Sequence, residues 1–178
     1  MAGGVLTQVQ GENLSGFNKP GIYGGAFVNY EFTKVHFLQL ELDFIQKGSR
    51  DSNNPENGAY SNFIFRLNYL EVPVLYQVRF LKRLAFEIGP AFDILLSAYQ
   101  ESDNLEVPID PPCRPVTING LAGVSCNIIP KLKVDFRFIM SINSIRKPGD
   151  TNNNYIKRFG TWGQFNDVLA LTVWYTFK

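Results

Sequence analysis

Apolar and polar residues alternate with a period of two along almost the whole chain. In HFLQLELDFIQK, residues 36–47, Leu38, Leu40, Leu42 and Phe44 alternate with Gln39, Glu41 and Asp43. In KLKVDFRFIMSIN, residues 131–143, Leu132, Val134, Phe136, Phe138, Met140 and Ile142 alternate with Lys133, Asp135, Arg137, Ser141 and Asn143. Leu84, Phe86, Ile88, Phe92, Ile94 and Leu96 oppose Glu87, Asp93 and Ser97, and Leu169, Leu171, Val173, Tyr175 and Phe177 share one face. Ile22, Val28, Tyr30 and Phe32 lie opposite Asn29 and Glu31. Successive strand side chains point to opposite faces, so each stretch predicts a strand with one apolar and one polar side. Eight strands follow, over about 2–11, 20–32, 36–48, 62–80, 84–98, 117–129, 131–145 and 164–178. No segment carries the period of about 3.6 that a helix needs.

The connections sharpen this into an architecture. Long ones, at 12–19, 49–61, 99–116 and 146–163, are rich in Asn, Asp, Ser, Gly and Pro, as in RDSNNPENG and RKPGDTNNN. Short ones fall at Thr33-Lys34-Val35, Leu81-Lys82-Arg83 and Pro130. In an antiparallel meander alternate connections lie at opposite ends, so all long loops gather at one end and all short turns, with both termini, at the other. Residues 1–178 are thereby predicted to form a single domain. It is an all-β, eight-stranded antiparallel up-and-down transmembrane β-barrel, with short periplasmic turns and long extracellular loops.

Alternation alone leaves open which face points inward. A soluble lipocalin-like ligand-binding barrel also has eight strands, with its apolar face inside. Large apolar residues along whole strands, and strands of membrane-spanning length, favour an apolar exterior. So do two aromatic groups: Tyr30, Phe32, Phe37, Tyr76, Phe80, Phe86, Tyr175 and Phe177 near the short turns, and Tyr60, Phe63, Tyr99, Trp162 and Phe165 near the long loops. The polar face then lines a lumen too narrow for a channel. It offers Glu31, Glu41, Asp43, Lys47, Arg66, Glu71, Arg79, Glu87, Asp93, Lys133, Asp135 and Arg137, which are expected to pair as an ion network because unpaired buried charge is very costly. Within residues 62–80, Phe63, Phe65 and Leu67 are apolar at odd positions and Val72, Val74, Tyr76, Val78 and Phe80 at even ones. This predicts a phase slip near Tyr69-Leu70, from a β-bulge, with Pro73 as a further sign of irregularity.

Composition excludes several classes. With 17 basic and 16 acidic residues the chain lacks the positive excess of a nucleic-acid binder. No apolar run is long enough for a transmembrane helix, and the first residues, MAGGVLTQVQG, show no signal-peptide pattern, so a signal is expected to have been removed. Two cysteines and one histidine exclude a Cys/His zinc site. Cys113, in the Pro-rich outer stretch Pro111-Pro112-Cys113-Arg114-Pro115, and Cys126, on a lipid-facing strand position, are too far apart along extended chain to form a disulfide.

As an enzyme the chain has little to offer: His36 at a short turn, or the pair Glu41/Asp43 as acid and base. Asp51, Asp103 and Asp110 lack the spacing of a calcium loop. No catalytic residue, cofactor or metal is assigned.

Several pieces carry a family resemblance. Lys47-Gly48 closes a strand before a polar loop, Tyr69-Leu70-Glu71-Val72-Pro73 opens the next stretch, Gly89-Pro90 precedes Asp93-Ile94-Leu95-Leu96, and a late strand ends in Tyr-Thr-Phe. In this order and spacing the chain resembles the PorT-like outer-membrane β-barrel proteins of Bacteroidetes. The resemblance implies an eight-stranded barrel delivered by a signal peptide, and one namesake member belongs to the type IX secretion machinery. It supplies no catalytic motif. The combined expectation is a non-enzymatic barrel in the bacterial outer membrane. Its partners would be membrane lipid and other envelope proteins, reached through the loops at 49–61, 99–116 and 146–163. A lipocalin-like binder or an outer-membrane barrel enzyme stand as alternatives.

Overall fold

The structure is a computed structural model and describes residues 1–12, 16–51, 62–148 and 155–177. Among the described residues eleven strands form in chain order. They are β1 (Ala2–Gln10), β2 (Lys19–Glu31), β3 (His36–Asp51), β4 (Phe63–Arg79), β5 (Leu84–Ser102), β6 (Leu105–Glu106), β7 (Val116–Ile129), β8 (Leu132–Ser141), β9 (Ile156–Arg158), β10 (Thr161–Gly163) and β11 (Phe165–Tyr175). Among the described residues there is no helix.

The eight long strands are the predicted ones. Each pairs antiparallel with its neighbour in sequence, β4 pairs with β5, and β1 pairs with β11, so the sheet closes on itself. Closure leaves no free sheet edge, the condition for strands to lie in hydrocarbon. Below Ala2, β1 stops short. There Phe27 of β2 and Trp174 of β11 meet edge to face, with ring centroids 4.7 Å apart.

The faces are sorted as a membrane barrel requires. Leu6, Ile22, Val28, Leu38, Leu40, Leu42, Ile88, Phe92, Ile94, Phe136, Phe138, Leu171 and Val173 are exposed on the outside. Glu41, Asp43, Lys47, Glu71, Glu87, Asp93, Asp135 and Arg137 are buried inside. A soluble barrel would have these two sets exchanged.

The phase slip is on the other strand. β4 keeps one phase throughout: Phe65, Leu67, Tyr69, Glu71, Leu75 and Gln77 all point inward. Register does shift between Asn68 and Tyr69, but their partners are Ser97 and Leu95, so the extra residue is Leu96 of β5. Leu95 and Ala98 both pack on the interior cluster, and Ser97, expected inside, is exposed and bonded to Asn68 at 2.8 Å. Pro73 stays in register opposite Ala91. The change from apolar to polar residues along β4 reflects the interior itself, which is greasy near the long loops and ionic near the short turns. Val9, Ile45, Phe65, Leu67, Tyr69, Leu121, Ile139, Ile145 and Val168 belong to that buried apolar cluster.

The aromatic belts are unequal. Tyr30, Phe32, Tyr76, Phe80, Phe86, Tyr175 and Phe177 are exposed at the short-turn end, but Phe37 turns inward beneath Arg79. At the loop end, Phe165 is fully buried and Phe63 packs against the core; Trp162 is exposed, and Tyr60 lies outside the described residues. The loop begun at 99 is also shorter than predicted. β5 runs on to Ser102 and turns back into β6 through Asp103 and Asn104, both at positive φ (52° and 64°), the left-handed pair of a tight hairpin turn.

Candidate functional site

The interior of the short-turn half concentrates the charged groups, and strand register explains how. Asp43, Glu71, Asp93 and Thr117 are direct cross-strand partners on β3, β4, β5 and β7. Three carboxyl groups in one row would repel. Lys47, four residues beyond Asp43 on the same face of β3, reaches into the row and bonds Glu71 and Asp93, each at 2.7 Å. Its ammonium also lies 5.6 Å from the centre of the Tyr69 ring.

A second row centres on Arg137. Gln77, Glu87, Gly123 and Arg137 are partners across β4, β5, β7 and β8. The Arg137 guanidinium holds Glu41 through two bonds of 2.7 and 2.9 Å, lies 2.6 Å from Glu87 and 3.0 Å from Asp135, and sits 4.7 Å from the Trp174 ring. Bidentate guanidinium–carboxylate geometry is the strongest form of such pairing. Gly123 makes it sterically allowed. A Cβ there would stand 3.0 Å from Arg137 Cγ and 3.1 Å from Glu87 Oε1, and any larger side chain would occupy their space.

Neutral groups complete the network. Gln77 donates to Glu87 and to Gln39, both at 2.9 Å, and Gln39 donates to Glu41. The Tyr23 hydroxyl joins the two rows: it donates to Glu71 at 2.8 Å, lies 3.3 Å from Asp43, and accepts from Arg137 at 3.3 Å. Six carboxyl groups (Glu41, Asp43, Glu71, Glu87, Asp93, Asp135) therefore face Lys47, Arg137 and the partly exposed Lys133, with neutral hydroxyl and amide donors supplying further hydrogen bonds.

Nine of the twelve expected lumen residues thus converge. Three do not. Glu31 is exposed at the end of β2 and makes no ion pair among the described residues. Arg66 occupies an even, outward position of β4 and covers the Tyr99 ring at 5.9 Å. Arg79 has the inward phase but lies at the mouth, donating to the Lys34 carbonyl at 3.2 Å and capping Phe37. Tyr23, Thr117 and Trp174 also join the network, beyond the charged residues that the sequence marks. Their place on the inward phase was readable, but an aromatic residue in a strand gives no signal that its hydroxyl or ring joins an ionic cluster.

The loop end closes over the apolar half. Arg146 bonds Gln164, lies 5.0 Å from the Phe65 ring and 3.9 Å from Glu12, which accepts from Ser49 at 2.5 Å. Burial raises the Glu12 carboxyl above its usual range, against the opposing effects of Ser49 and Arg146. The Pro-rich stretch folds inward rather than standing clear, so Ile109 and Cys113 pack on the core and the Arg114 amide bonds the Ile145 carbonyl at 2.7 Å. Burial pushes the Cys113 thiol up to about 11.

The catalytic candidates are placed by the same geometry. His36 is on the outer surface, 2.6 Å from the Tyr76 hydroxyl with the rings stacked. Glu41 and Asp43 are sealed in the interior. Asp103 accepts the Asn62 amide at 3.2 Å, a structural bond at the start of β4. Cys126 and Cys113 are both free thiols. Among the described residues, no group of three or more His, Cys, Asp or Glu side chains is placed to hold a metal ion.

The comparisons with known proteins agree with this geometry. The crystal structure of Ail, the attachment invasion locus protein of Yersinia pestis, superposes with a TM-score of 0.51 over 98% of this chain and 93% of that one, at 13% identity, a likeness of fold. No curated protein matches the sequence. The model of the outer membrane protein beta-barrel domain matches residues 4–147. With the outward apolar face, the ionic interior and this match, the chain belongs to the outer membrane protein beta-barrel domain family.

Proposed function

We propose that the protein is a non-enzymatic barrel that serves as a structural or accessory subunit of a cell-envelope assembly and acts through its outer loops or lipid face. The filled interior carries this reading. Lys47, Glu71, Asp93, Glu41, Glu87 and Arg137 have no exposed side-chain surface and pair with one another across the lumen, which favours bracing over passage or turnover. The PorT-like motifs favour a secretion-related assembly in Bacteroidetes as the narrower form of the proposal.

The β9–β10 hairpin offers a contact surface at the loop end. Its two-residue turn, Phe159-Gly160, has both residues at positive φ (46° and 81°), and Phe159 is 67% exposed beside the exposed Trp162. A bulky residue in the left-handed region is strained, and an exposed aromatic held there suits a contact anchor.

Extraction in mild detergent, followed by cross-linking and co-purification, tests the proposal. The expected result is a stable complex that Phe159→Asn with Trp162→Ser weakens. A strictly monomeric barrel in native membranes refutes it.

A further inference from the structure

Two cations of the loop end are paired with acids, and the cations of the short-turn rim are not. At the loop end Arg146 faces Glu12 and Arg158 grips Asp167 through two bonds of 2.7 and 2.9 Å. At the short-turn end Lys34, Arg79, Lys82, Arg83 and Lys131 make no ion pair among the described residues. The acidic residue of this rim, Glu31, lines neither of the two clefts there.

Three of these cations share a cleft. Arg79, Lys82 and Arg83, with Asn127, Ile128 and Ile129, line a depression of about 460 Å³ between the β4–β5 and β7–β8 turns. It has no acidic residue in its wall. Arg79 is already oriented, its guanidinium bonded to the Lys34 carbonyl and stacked 4.6 Å from Phe37. Asn127 is held by its amide on the Arg83 carbonyl at 2.8 Å, which ties the two turns together. The cleft opens onto exposed Phe80, Leu81, Ile128 and Ile129, which continue into the outward apolar surface. A basic cavity that merges into a lipid-facing wall matches a molecule with a phosphate at one end and hydrocarbon at the other.

We infer that this cleft binds an anionic phospholipid of the adjoining leaflet, its phosphate among Arg79, Lys82 and Arg83 and its acyl chains along Ile128 and Ile129. The inference rests on the membrane placement and not on the envelope-partner reading. Each cation near such a surface contributes roughly a fivefold preference, so three together give on the order of a hundredfold.

The test uses the full chain refolded into nanodiscs of phosphatidylcholine with phosphatidylglycerol added, and counts retained lipids by native mass spectrometry. The expected result is phosphatidylglycerol retained in preference by the parent, lost by Arg79→Gln with Lys82→Gln and Arg83→Gln, and kept by Arg50→Gln with Arg66→Gln at the other end. Equal retention by the parent and the triple variant overturns the proposal, as does displacement of the lipid by inorganic phosphate alone. Should the triple variant fail to refold, judged by its unboiled gel mobility, Lys82→Gln and Arg83→Gln on the exposed turn take its place under the same criterion. A parent that never enters the bilayer sinks the membrane placement itself, a result the same gel separates from a lost lipid preference.

Discussion

Replacing Arg137 with methionine is the sharpest probe of the interior. The side chain is fully buried and joins Glu41, Glu87 and Asp135 at 2.6 to 3.0 Å. Methionine keeps most of the stem and removes the charge. Three carboxyl groups then share the space with one cation, Lys133, which stands 3.9 Å from Asp135. Removing one partner of a buried ion pair costs about 3–5 kcal/mol, because the other is left uncompensated. Urea unfolding in lipid vesicles, followed by gel mobility and by the fluorescence of Trp174 beside the substitution, reads this directly. Arg66→Met, on the outer surface, is the control and is expected to stay within about 0.5 kcal/mol of the parent. Adding Glu87→Gln to Arg137→Met is expected to restore part of the loss, with a coupling of about 1–3 kcal/mol. A single variant within about 1 kcal/mol of the parent, the range of exposed pairs, refutes the claim that Arg137 holds the lower barrel together.

Other outcomes follow from other surfaces. Leu42→Arg, on the exposed apolar face, is expected to lose about 2–4 kcal/mol in a bilayer, whereas a soluble barrel would tolerate it; vesicle unfolding decides. Cys113, with its thiol at about 11 instead of 9.0, is expected to alkylate near pH 8 about a hundredfold more slowly than a free thiol, and a rate equal to that of an unfolded control contradicts its packing. Because burial raises the Glu12 carboxyl above 4.5, the folded state binds its proton more tightly than the unfolded one; stability falls as pH rises through that window, and Glu12→Gln flattens the slope in a pH series of melts.

Much of the barrel is legible in the sequence. All eight long strands, the alternation of long and short connections, and the inward phase of nine charged residues follow from period-two patterning. The misplacements have a common cause. Arg66 faces inward only if β4 slips phase, and the slip belongs to Leu96 on β5. Leu95 and Leu96 are both apolar, so the sequence carries no mark of which one leaves the ladder. Glu31 and Arg79 have the inward phase but lie where the wall ends, and phase is silent about height along the axis. The pattern predicts Phe165 and Phe63 in an interfacial belt, yet they serve the apolar plug, since an aromatic residue at a strand end suits either.

Alternation by itself determined that each strand has two chemically opposed faces, because side chains on a strand have only two directions to choose from, and the alternating long and short connections made the strands an antiparallel meander. Tertiary structure decided which charges meet. Lys47 reaches Glu71 and Asp93, and Arg137 reaches Glu41, through pairings separated by 24 to 96 residues. Such partners are set by strand register and by the glycine that clears their path, quantities that exist only once the sheet has closed.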